Sequence, residues 1–162
     1  MTDEQPAALS HVREDGSARM VDVTGKSVTD RQAVAAATVA TRPDVIAGIT
    51  NGALPKGEVI PVARVAGVMG AKRTADLIPL CHPLPLSGIE IDIETQADRI
   101  RIIGTVRTTG RTGVEMEALT AVTTAALTVY DMIKAVDKNA VITDVSVLAK
   151  SGGKNGDWST EQ

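Results

Sequence analysis

The sequence IEIDIETQADRIRIIGTVRT, at residues 89–108, contains the clearest strand pattern in the chain. Ile89, Ile91 and Ile93 alternate with acidic residues, which predicts a strand with one apolar face and one solvated face. The second half, Arg99 to Thr108, predicts a partner strand joined to the first by a short turn. An antiparallel sheet with one apolar face needs a second layer of structure to cover that face.

The longest helix is predicted directly after this hairpin. Thr112-Gly113-Val114-Glu115 matches a capping box, in which the threonine hydroxyl is the N-cap and the glutamate follows three residues later. Apolar residues then recur every three or four positions, at Met116, Leu119, Val122, Ala126, Val129, Ile133 and Val136. A helix with one apolar face of this length is expected to cover the sheet.

The other segments supply further strands and helices. They are a strand at 20–23, a helix at 29–41, a helix at 44–50, a helix at 58–73 with Val62, Ala66 and Met69 on its apolar face, and a strand at 141–150. The helix at 29–41 rests on a second capping box, Thr29 to Gln32, and on Pro43, because the residue before a proline avoids helical angles. The order of elements predicts an α+β fold, a ferredoxin-like antiparallel sheet with helices packed on one face.

The length of 162 residues fits a single domain. We expect a flexible N-terminal lead-in at 1–19, one folded domain at 20–150, and a glycine- and lysine-rich C-terminal tail at 151–162. With no Phe, one Tyr and one Trp, the core must be built from small aliphatic side chains. Such a chain completes its core across a subunit interface or packs densely as a monomer, and we favour an oligomer.

Charge and composition exclude several classes of protein. A net charge of −3 and the scarcity of aromatic residues argue against a nucleic-acid binder. No run of 18 apolar residues is present, so no membrane span is predicted. The acidic, polar N-terminus and the single cysteine, Cys81, favour a reducing cytoplasm. Cys81, His11 and His82 are too few for a structural zinc site, whereas Mg²⁺ carried on substrate phosphates is compatible with the sequence.

Asp131 and Lys134 lie three residues apart on the long predicted helix, so their side chains share one face. One interpretation is an exposed ion pair that contributes roughly a few tenths of a kcal/mol. The other is an acid–base pair, in which the ammonium group keeps the carboxylate ionised and also holds an anionic group. The spacing by itself does not decide between these interpretations.

The C-terminal tail offers a candidate phosphate clamp. Lys150 and Lys154 bracket Ser151-Gly152-Gly153, and Asn155-Gly156 follows, so mobile backbone amides lie between two ammonium groups. The alternative is a disordered terminus. No GxxxxGK[ST] or GxGxxG motif is present, so the sequence supports neither a P-loop nor a Rossmann site.

Three more residues have two interpretations each. His82 lies in a proline-locked segment, where its ring is a structural element or is positioned for a ligand. Glu117 is either a solvated surface residue or a ligand contact. Cys81 lacks a nearby base and is interpreted as a packing residue rather than a nucleophile.

Taken together, six segments resemble one family, the molybdenum cofactor biosynthesis protein C family of cyclic pyranopterin monophosphate synthases. The segments are Met20-Val21-Asp22-Val23, Lys72-Arg73-Thr74, the run from Asp76 to Leu84, the run from Thr112 to Thr120, Tyr130-Asp131-Met132, and Lys150-Ser151-Gly152-Gly153-Lys154. They follow one another in the family's order and span roughly residues 10 to 158.

The resemblance implies a ferredoxin-like subunit in a homo-hexamer, a trimer of dimers, whose sites lie at subunit interfaces. It implies a lyase that converts a cyclic 7,8-dihydro-GTP intermediate (3′,8-cyclo form) into cyclic pyranopterin monophosphate and releases pyrophosphate, with 20–150 as the catalytic domain and no cofactor required. The implied catalytic residues are Asp131, Lys134 and Lys56. The implied substrate-binding residues are Leu80, Cys81, His82, Met116, Glu117, Arg31, Lys72, Lys150 and Lys154, and no metal ligand is implied.

A second hypothesis from a different class is a small-ligand sensor that binds a nucleotide without chemistry. An Asp–Lys pair beside a lysine-rich tail favours the synthase, because a sensor has no need of proton transfer. An inactive homologue is a third hypothesis. The cyclic dihydro-GTP intermediate distinguishes all three, since only the synthase converts it into a pyranopterin and pyrophosphate.

Overall fold

A computed structural model describes residues 11–154 and 156–160 of the chain. The elements within these residues are β1 (Thr29–Ala40), α1 (Pro43–Thr50), α2 (Val59–Lys72), α3 (Thr74–Leu77), β2 (Leu86–Thr95), β3 (Arg99–Gly110), α4 (Glu115–Ile133), β4 (Val141–Ser151) and β5 (Trp158–Ser159). Within this part of the chain, no helix combines the length and the apolar character needed to cross a bilayer.

The strands form one antiparallel sheet in the order β2-β3-β1-β4-β5. The hairpin predicted from the alternating isoleucines is confirmed, because β2 and β3 pair along their lengths and the Gln96 N–H donates to the Arg99 carbonyl at 2.8 Å. Ile91 is buried whereas the acidic residues between the isoleucines are exposed. The sheet and helices together confirm the predicted α+β class.

Helices α2 and α4 cover the sheet and pack closely on each other. A Cβ atom on Gly67 of α2 would lie 3.1 Å from the Ala121 carbonyl of α4, and one on Gly70 would lie 2.7 Å from the Cβ of Thr124. Much of the buried core is alanine, on β1, α2 and α4 alike. Because the backbones approach so closely, small side chains fill the space that aromatic rings occupy in other proteins.

The helix predicted at 29–41 is wrong, because these residues form β1. β1 is the central strand, paired with β3 on one side and β4 on the other, and Ala33, Ala35 and Ala36 are each at most 3% exposed. A strand buried on both faces has no apolar–polar alternation, so its sequence lacks the usual strand pattern. Alanine has a high helix propensity, which favoured the helix prediction, but pairing with the two neighbouring strands overrides that propensity. The strand predicted at 20–23 is also wrong, since these residues form no strand pairing.

The long helix at α4 is confirmed, but both of its predicted ends shift. It ends at Ile133 rather than Val136, and its N-cap is Val114, with no side-chain cap. The carboxylate of Glu115 instead accepts a hydrogen bond from Lys150 Nζ at 2.9 Å. An ion pair with β4 has therefore replaced the predicted capping box.

The buried face of α2 also differs from the predicted one. Val62 and Met69 are 47% and 49% exposed, whereas Val59, Ala63 and Gly67 are buried. The close approach of α4 explains this choice, because the helix turns its smallest residues towards the contact. The bulkier apolar residues are left facing outwards.

Both terminal segments of the described chain contain short paired structure. Residues 11–19, predicted as part of a flexible lead-in, form a small hairpin with a bridge between Val12 and Ala18. In the predicted tail, β5 pairs with β4, so Trp158 lies opposite Lys150. Residues 1–10, Asn155 and residues 161–162 of the predicted lead-in and tail lie outside the described residues.

Candidate active site

A cleft of about 880 Å³ opens where β1 begins and where β3 and β4 end. It brings together eight of the residues that the sequence predicted to bind substrate. They are Arg31, Leu80, Cys81, His82, Met116, Glu117, Lys150 and Lys154. Residues from four distant segments of the chain thus meet at one edge of the sheet.

Antiparallel pairing explains why these segments meet. Thr29 of β1 pairs with Gly110 of β3, and Gln32 of β1 pairs with Ser151 of β4. Because β1 runs antiparallel to both neighbours, its first residues lie beside their last residues. Arg31 and the end of β4 therefore open onto the same cleft.

Two further segments close the cleft. The first turn of α4 contributes Met116 and Glu117, and the extended segment before β2 contributes Leu80, Cys81 and His82. Prolines on both sides of the latter segment restrict its backbone, which fixes where these side chains point.

Cationic side chains dominate the lining of the cleft. Within the described residues the cations are Lys26, Arg31, Arg111, Lys150 and Lys154, and the carboxylates are Glu115 and Glu117. Lys150 is already paired with Glu115, at 2.9 Å. The excess of positive charge suits a ligand with several negative charges, such as a polyphosphate.

The two arginines of the cleft are held by backbone carbonyls. Arg31 Nε donates to the Gly110 carbonyl at 3.1 Å, and Arg111 Nη1 donates to the Thr24 carbonyl at 2.9 Å. A guanidinium group has five N–H donors, so each arginine keeps donors for a ligand. Fixed in this way, the side chains lose less conformational entropy when they bind an anion.

Sequence reasoning missed Lys26 and Arg111, and it assigned Glu115 to a helix cap. Lys26 lies in a turn next to a glycine, and Arg111 directly follows the last residue of β3. Charged residues at turns and strand ends are the signal that could have identified them, because loops carry many ligand contacts. Their convergence depends on the sheet register, which the sequence alone did not provide.

His82 is anchored to the segment that precedes β1. Its Nε2 atom lies 2.7 Å from the Val21 carbonyl. Since a carbonyl oxygen only accepts, Nε2 carries the proton and Nδ1 is left as an acceptor in the neutral ring. The motif at 20–23 thus contributes to the site as an anchor for a cleft side chain, not as a strand.

Glu117 is the most deeply buried charge of the cleft, at 4% exposed. Burial raises its pKa above the ordinary value; a hydrogen bond from its own backbone amide opposes part of this increase, and the nearby Glu115 adds a smaller increase. The pKa of the Cys81 thiol is also raised, first by burial and then by Glu117. A thiol with a raised pKa stays neutral, which agrees with the prediction that Cys81 is not a nucleophile.

Replacing Glu117 by Gln is expected to stabilise the fold and weaken the site. A carboxyl whose folded pKa is raised contributes stability below its unfolded pKa, and this stability is lost as pH rises through the folded pKa. The unfolding free energy of Glu117→Gln should therefore exceed that of the wild type by on the order of 1 kcal/mol at neutral pH. The gain should vanish below pH 4.5, the ordinary pKa of this group. Urea unfolding at both pH values measures it.

The control is Glu94→Gln, which changes the same functional group on the exposed face of β2. It should leave the unfolding free energy unchanged at either pH. An equal gain in both variants would show that the effect reflects overall charge and not the burial of Glu117.

The predicted catalytic residues form a separate cluster at the C-terminal end of α4. Asp131 Oδ1 lies 2.7 Å from Lys134 Nζ, and Asp131 Oδ2 lies 2.8 Å from the Nζ of Lys56, which comes from the loop between α1 and α2. Lys56 Nζ also donates to the Asp131 carbonyl at 2.9 Å. Hydrogen bonds from Lys134 and then Lys56 lower the pKa of Asp131 to about 2, and Asp131 raises the pKa of Lys134.

This geometry changes the interpretation of the helix pair. An exposed pair three residues apart needs no third member, yet Lys56 reaches Asp131 from 75 residues away in the sequence. The cluster carries one carboxylate and two ammonium groups, so its net charge is positive. It therefore combines an ionised proton acceptor with two groups that can stabilise negative charge.

The model of the MoaC family matches residues 20–153, which include most of the residues that line the cleft and the whole Asp131 cluster. The chain belongs to the MoaC family. This confirms the resemblance that the sequence motifs indicated.

Relatives of this MoaC-family chain match it over almost their whole lengths. The cyclic pyranopterin monophosphate synthase of Corynebacterium glutamicum strain R is 64% identical over 153 residues, covering 94% of this chain and 98% of that protein. The protein of the same name from Streptomyces coelicolor is 60% identical over 151 residues, covering 93% and 89%. Cyclic pyranopterin monophosphate synthase 2 of Mycobacterium bovis is 56% identical over 158 residues, covering 98% and 95%.

In this MoaC-family chain the cleft and the Asp131 cluster lie at opposite ends of α4. Glu115 at the cleft and Asp131 are 16 positions apart on the helix, about 24 Å at ~1.5 Å per residue. Lys72, predicted to bind substrate, is the exposed last residue of α2 and does not line the cleft. The predicted site residues therefore fall into two separate groups within the chain.

Within residues 11–154 and 156–160, no group of three or more His, Cys, Asp or Glu side chains is arranged to hold a metal ion. The polar side chains of the cleft are mostly donors. Their chemistry fits a bound anion better than a bound cation.

Proposed function

We propose that this protein is a cyclic pyranopterin monophosphate synthase. It would convert the cyclic 7,8-dihydro-GTP intermediate (3′,8-cyclo form) into cyclic pyranopterin monophosphate and pyrophosphate, an early step of molybdenum cofactor biosynthesis. The observation that carries this proposal is the similarity, over nearly the whole of both chains, to relatives that bear this name. The geometry of the cleft and of the Asp131 cluster supports it independently.

The cleft is the proposed site for the triphosphate. Arg31, Arg111 and Lys154 supply cationic donors at its edge, and Lys150 can exchange its contact with Glu115 for a phosphate oxygen. Glu117, buried and with a raised pKa, lies on the α4 side of the cleft. A carboxyl group there is placed to hold a proton or to accept hydrogen bonds from the N–H groups of a purine-derived ring.

The Asp131 cluster is the proposed site of proton transfer. Opening the purine-derived ring and closing the pyran ring both require protons to move, and Asp131 is ionised while Lys134 is protonated at neutral pH. Expelling pyrophosphate places negative charge on the leaving group, which Lys56 and Lys134 can stabilise.

A complete site then requires two subunits. A separation of about 24 Å along α4 prevents one bound nucleotide from meeting both halves of the same subunit, so the cleft of one subunit would face the cluster of its partner. We propose the homo-hexamer, a trimer of dimers, that the resemblance implies. The outward-facing apolar residues Val62, Val65 and Met69 of α2, between 47% and 60% exposed, support burial against another copy.

The finer aspects of the fold and the chemistry are part of the same proposal. A ferredoxin-like arrangement is supported by the order β2-β3-β1-β4 and by antiparallel pairing throughout. We propose that catalysis requires no cofactor, with Mg²⁺ entering only on the substrate's phosphates. The cytoplasmic location remains a prediction from composition, the free thiol of Cys81 being its main support.

The test is direct. Purified protein is supplied with the cyclic dihydro-GTP intermediate, with and without EDTA, and pyrophosphate and the pyranopterin product are both measured. Equimolar formation of the two products supports the proposal. Tight binding of the intermediate without turnover would contradict it and would instead indicate a nucleotide sensor or an inactive homologue.

A further inference from the structure

The loop that follows β4 is tied back on itself by one carboxylate. Asp157 Oδ1 accepts a hydrogen bond from the Gly152 N–H at 3.0 Å. The Gly156 N–H donates to the Gly153 carbonyl at 3.3 Å. Immediately after Asp157 the chain enters β5 and pairs with β4. The loop is therefore closed at its base by Asp157 and by the strand pairing.

This loop forms part of the wall of the cleft. Gly152 and Gly153 have φ values of +83° and +85°, a conformation that side-chain-bearing residues rarely adopt. A Cβ atom on Gly153 would lie 3.0 Å from Arg31 Cζ, and one on Gly152 would lie 3.2 Å from the carbonyl carbon of Asp30. The bare glycine backbone thus packs directly on the guanidinium group of Arg31 and on the start of β1.

Asp157 itself does not line the cleft. It lines a smaller groove, together with Trp158 and Ser159 and with Lys150, which also lines the cleft. Lys150 and Lys154, which flank the two glycines, do line the cleft. Asp157 therefore acts on a ligand in the cleft through the loop or through the field of its charge, and not by direct contact.

We propose that Asp157 is a positioning residue that holds the Gly152–Gly153 loop in the conformation that places Arg31, Lys150 and Lys154 around the substrate phosphates. The inference rests on the proposed function, because it assigns these cations to a polyphosphate. Glycine-rich segments lose more conformational entropy on ordering than other segments do. A single hydrogen bond therefore has a large effect on the fraction of molecules in which the loop is ordered. Because the loop is already ordered, phosphate binding involves a smaller loss of conformational entropy.

The charge of Asp157 acts in the opposite direction to its hydrogen bond. A carboxylate near a phosphate site repels the ligand, whereas the bond to Gly152 favours the binding conformation. Asp157→Asn keeps an oxygen acceptor and removes the charge, while Asp157→Ala removes both. The two variants therefore separate positioning from electrostatics.

Steady-state kinetics with the cyclic dihydro-GTP intermediate tests the proposal. Asp157→Ala should raise KM about five- to tenfold, the effect of one lost hydrogen bond and a loosened loop, with kcat changed by less than about twofold. Asp157→Asn should have a KM equal to or below that of the wild type. A KM raised as much in Asn as in Ala, or an unchanged KM in Ala, would overturn the proposal.

The matched control is Thr160→Val, in the same C-terminal segment, residues 156–160, that pairs with β4. It removes the hydrogen bond from Thr160 Oγ1 to the Leu148 carbonyl, at 3.1 Å, and leaves the backbone bond of Thr160 to that carbonyl, at 2.8 Å, in place. Its KM should remain that of the wild type. If Thr160→Val and Asp157→Ala raise KM equally, general loosening of residues 156–160 explains the effect. The proposed role of Asp157 in positioning the loop is then wrong.

A second readout does not depend on turnover. Trp158 is the single tryptophan of the chain and follows Asp157 directly, so its fluorescence reports on the loop. Titration with inorganic pyrophosphate should give a Kd about five- to tenfold weaker in Asp157→Ala and unchanged or tighter in Asp157→Asn. If the wild type has no activity, the proposed function is wrong. The pyrophosphate titration still tests the role of Asp157 in that case. Equal Kd values in the wild type and both variants would show that the proposed role is wrong.

Discussion

Asp131→Asn is expected to lower kcat for pyranopterin formation by about 10²- to 10⁴-fold, the range for loss of a general acid–base group. Asparagine keeps the size of the side chain but neither accepts a proton nor balances the ammonium groups of Lys56 and Lys134. Because the pKa of Asp131 is about 2, the carboxylate is ionised at neutral pH. The measurement is pyrophosphate release at saturating cyclic dihydro-GTP.

Asp98→Asn is the matched control for this experiment. Asp98 has the same side-chain exposure as Asp131, 55%, and pairs with Arg99 at 2.8 Å. Its pKa is likewise lowered, first by the hydrogen bond from Arg99. The control should retain wild-type kcat. Full activity in Asp131→Asn as well would reduce the Asp131 cluster to an exposed ion-pair network with no role in the reaction.

Two inactive variants are expected to regain activity when they share one oligomer. Asp131→Asn damages the cluster at one end of α4, and Lys150→Ala damages the cleft at the other. If each site combines the cleft of one subunit with the cluster of its partner, random association leaves about one quarter of the sites intact. Co-expression with two different tags and tandem purification isolates the mixed oligomers, whose activity per site is then compared with the wild type.

The control for this experiment pairs Asp131→Asn with Lys134→Ala. Both residues lie at the end of the same helix of one subunit, so mixed oligomers contain no intact cluster, and activity should stay at the level of the single variants. No recovery with Lys150→Ala would place both halves of the site in one subunit. Recovery in both mixtures would contradict the assignment of Asp131 and Lys134 to a single catalytic unit.

Periodicity predicted the parts of the fold that have one buried face. The hairpin of β2 and β3 and the helix α4 each bury one side, so their apolar residues recur at the spacing of a strand or of a helix. β1 is buried on both faces and is rich in alanine, so nothing in its spacing distinguished it from a helix. Its strand conformation follows from the two neighbours that pair with it, information that lies in other parts of the chain.

The candidate site shows the same division. Motif resemblance pointed to Asp131, His82 and Lys150 individually, but spacing along the chain contains no sign that the first belongs to a different half of the site. That separation follows from the fold, in which Asp131 lies at the C-terminal end of α4 and the cleft that His82 and Lys150 line lies at the N-terminal end. Likewise, the contact of Lys56 with Asp131 joins residues 75 positions apart and depends on how α1 and its following loop pack.

The alanine-built core has a consequence for how this protein tolerates change over evolution. A core of leucine and phenylalanine fails mainly when a side chain is shortened and leaves a cavity. Here there is little side-chain volume to remove. An added methyl group at Gly67 or Gly70, in contrast, would clash with atoms of α4. Substitutions in this core therefore do harm chiefly by crowding, and sequence drift at the contact of α2 with α4 is confined to residues no larger than those already present.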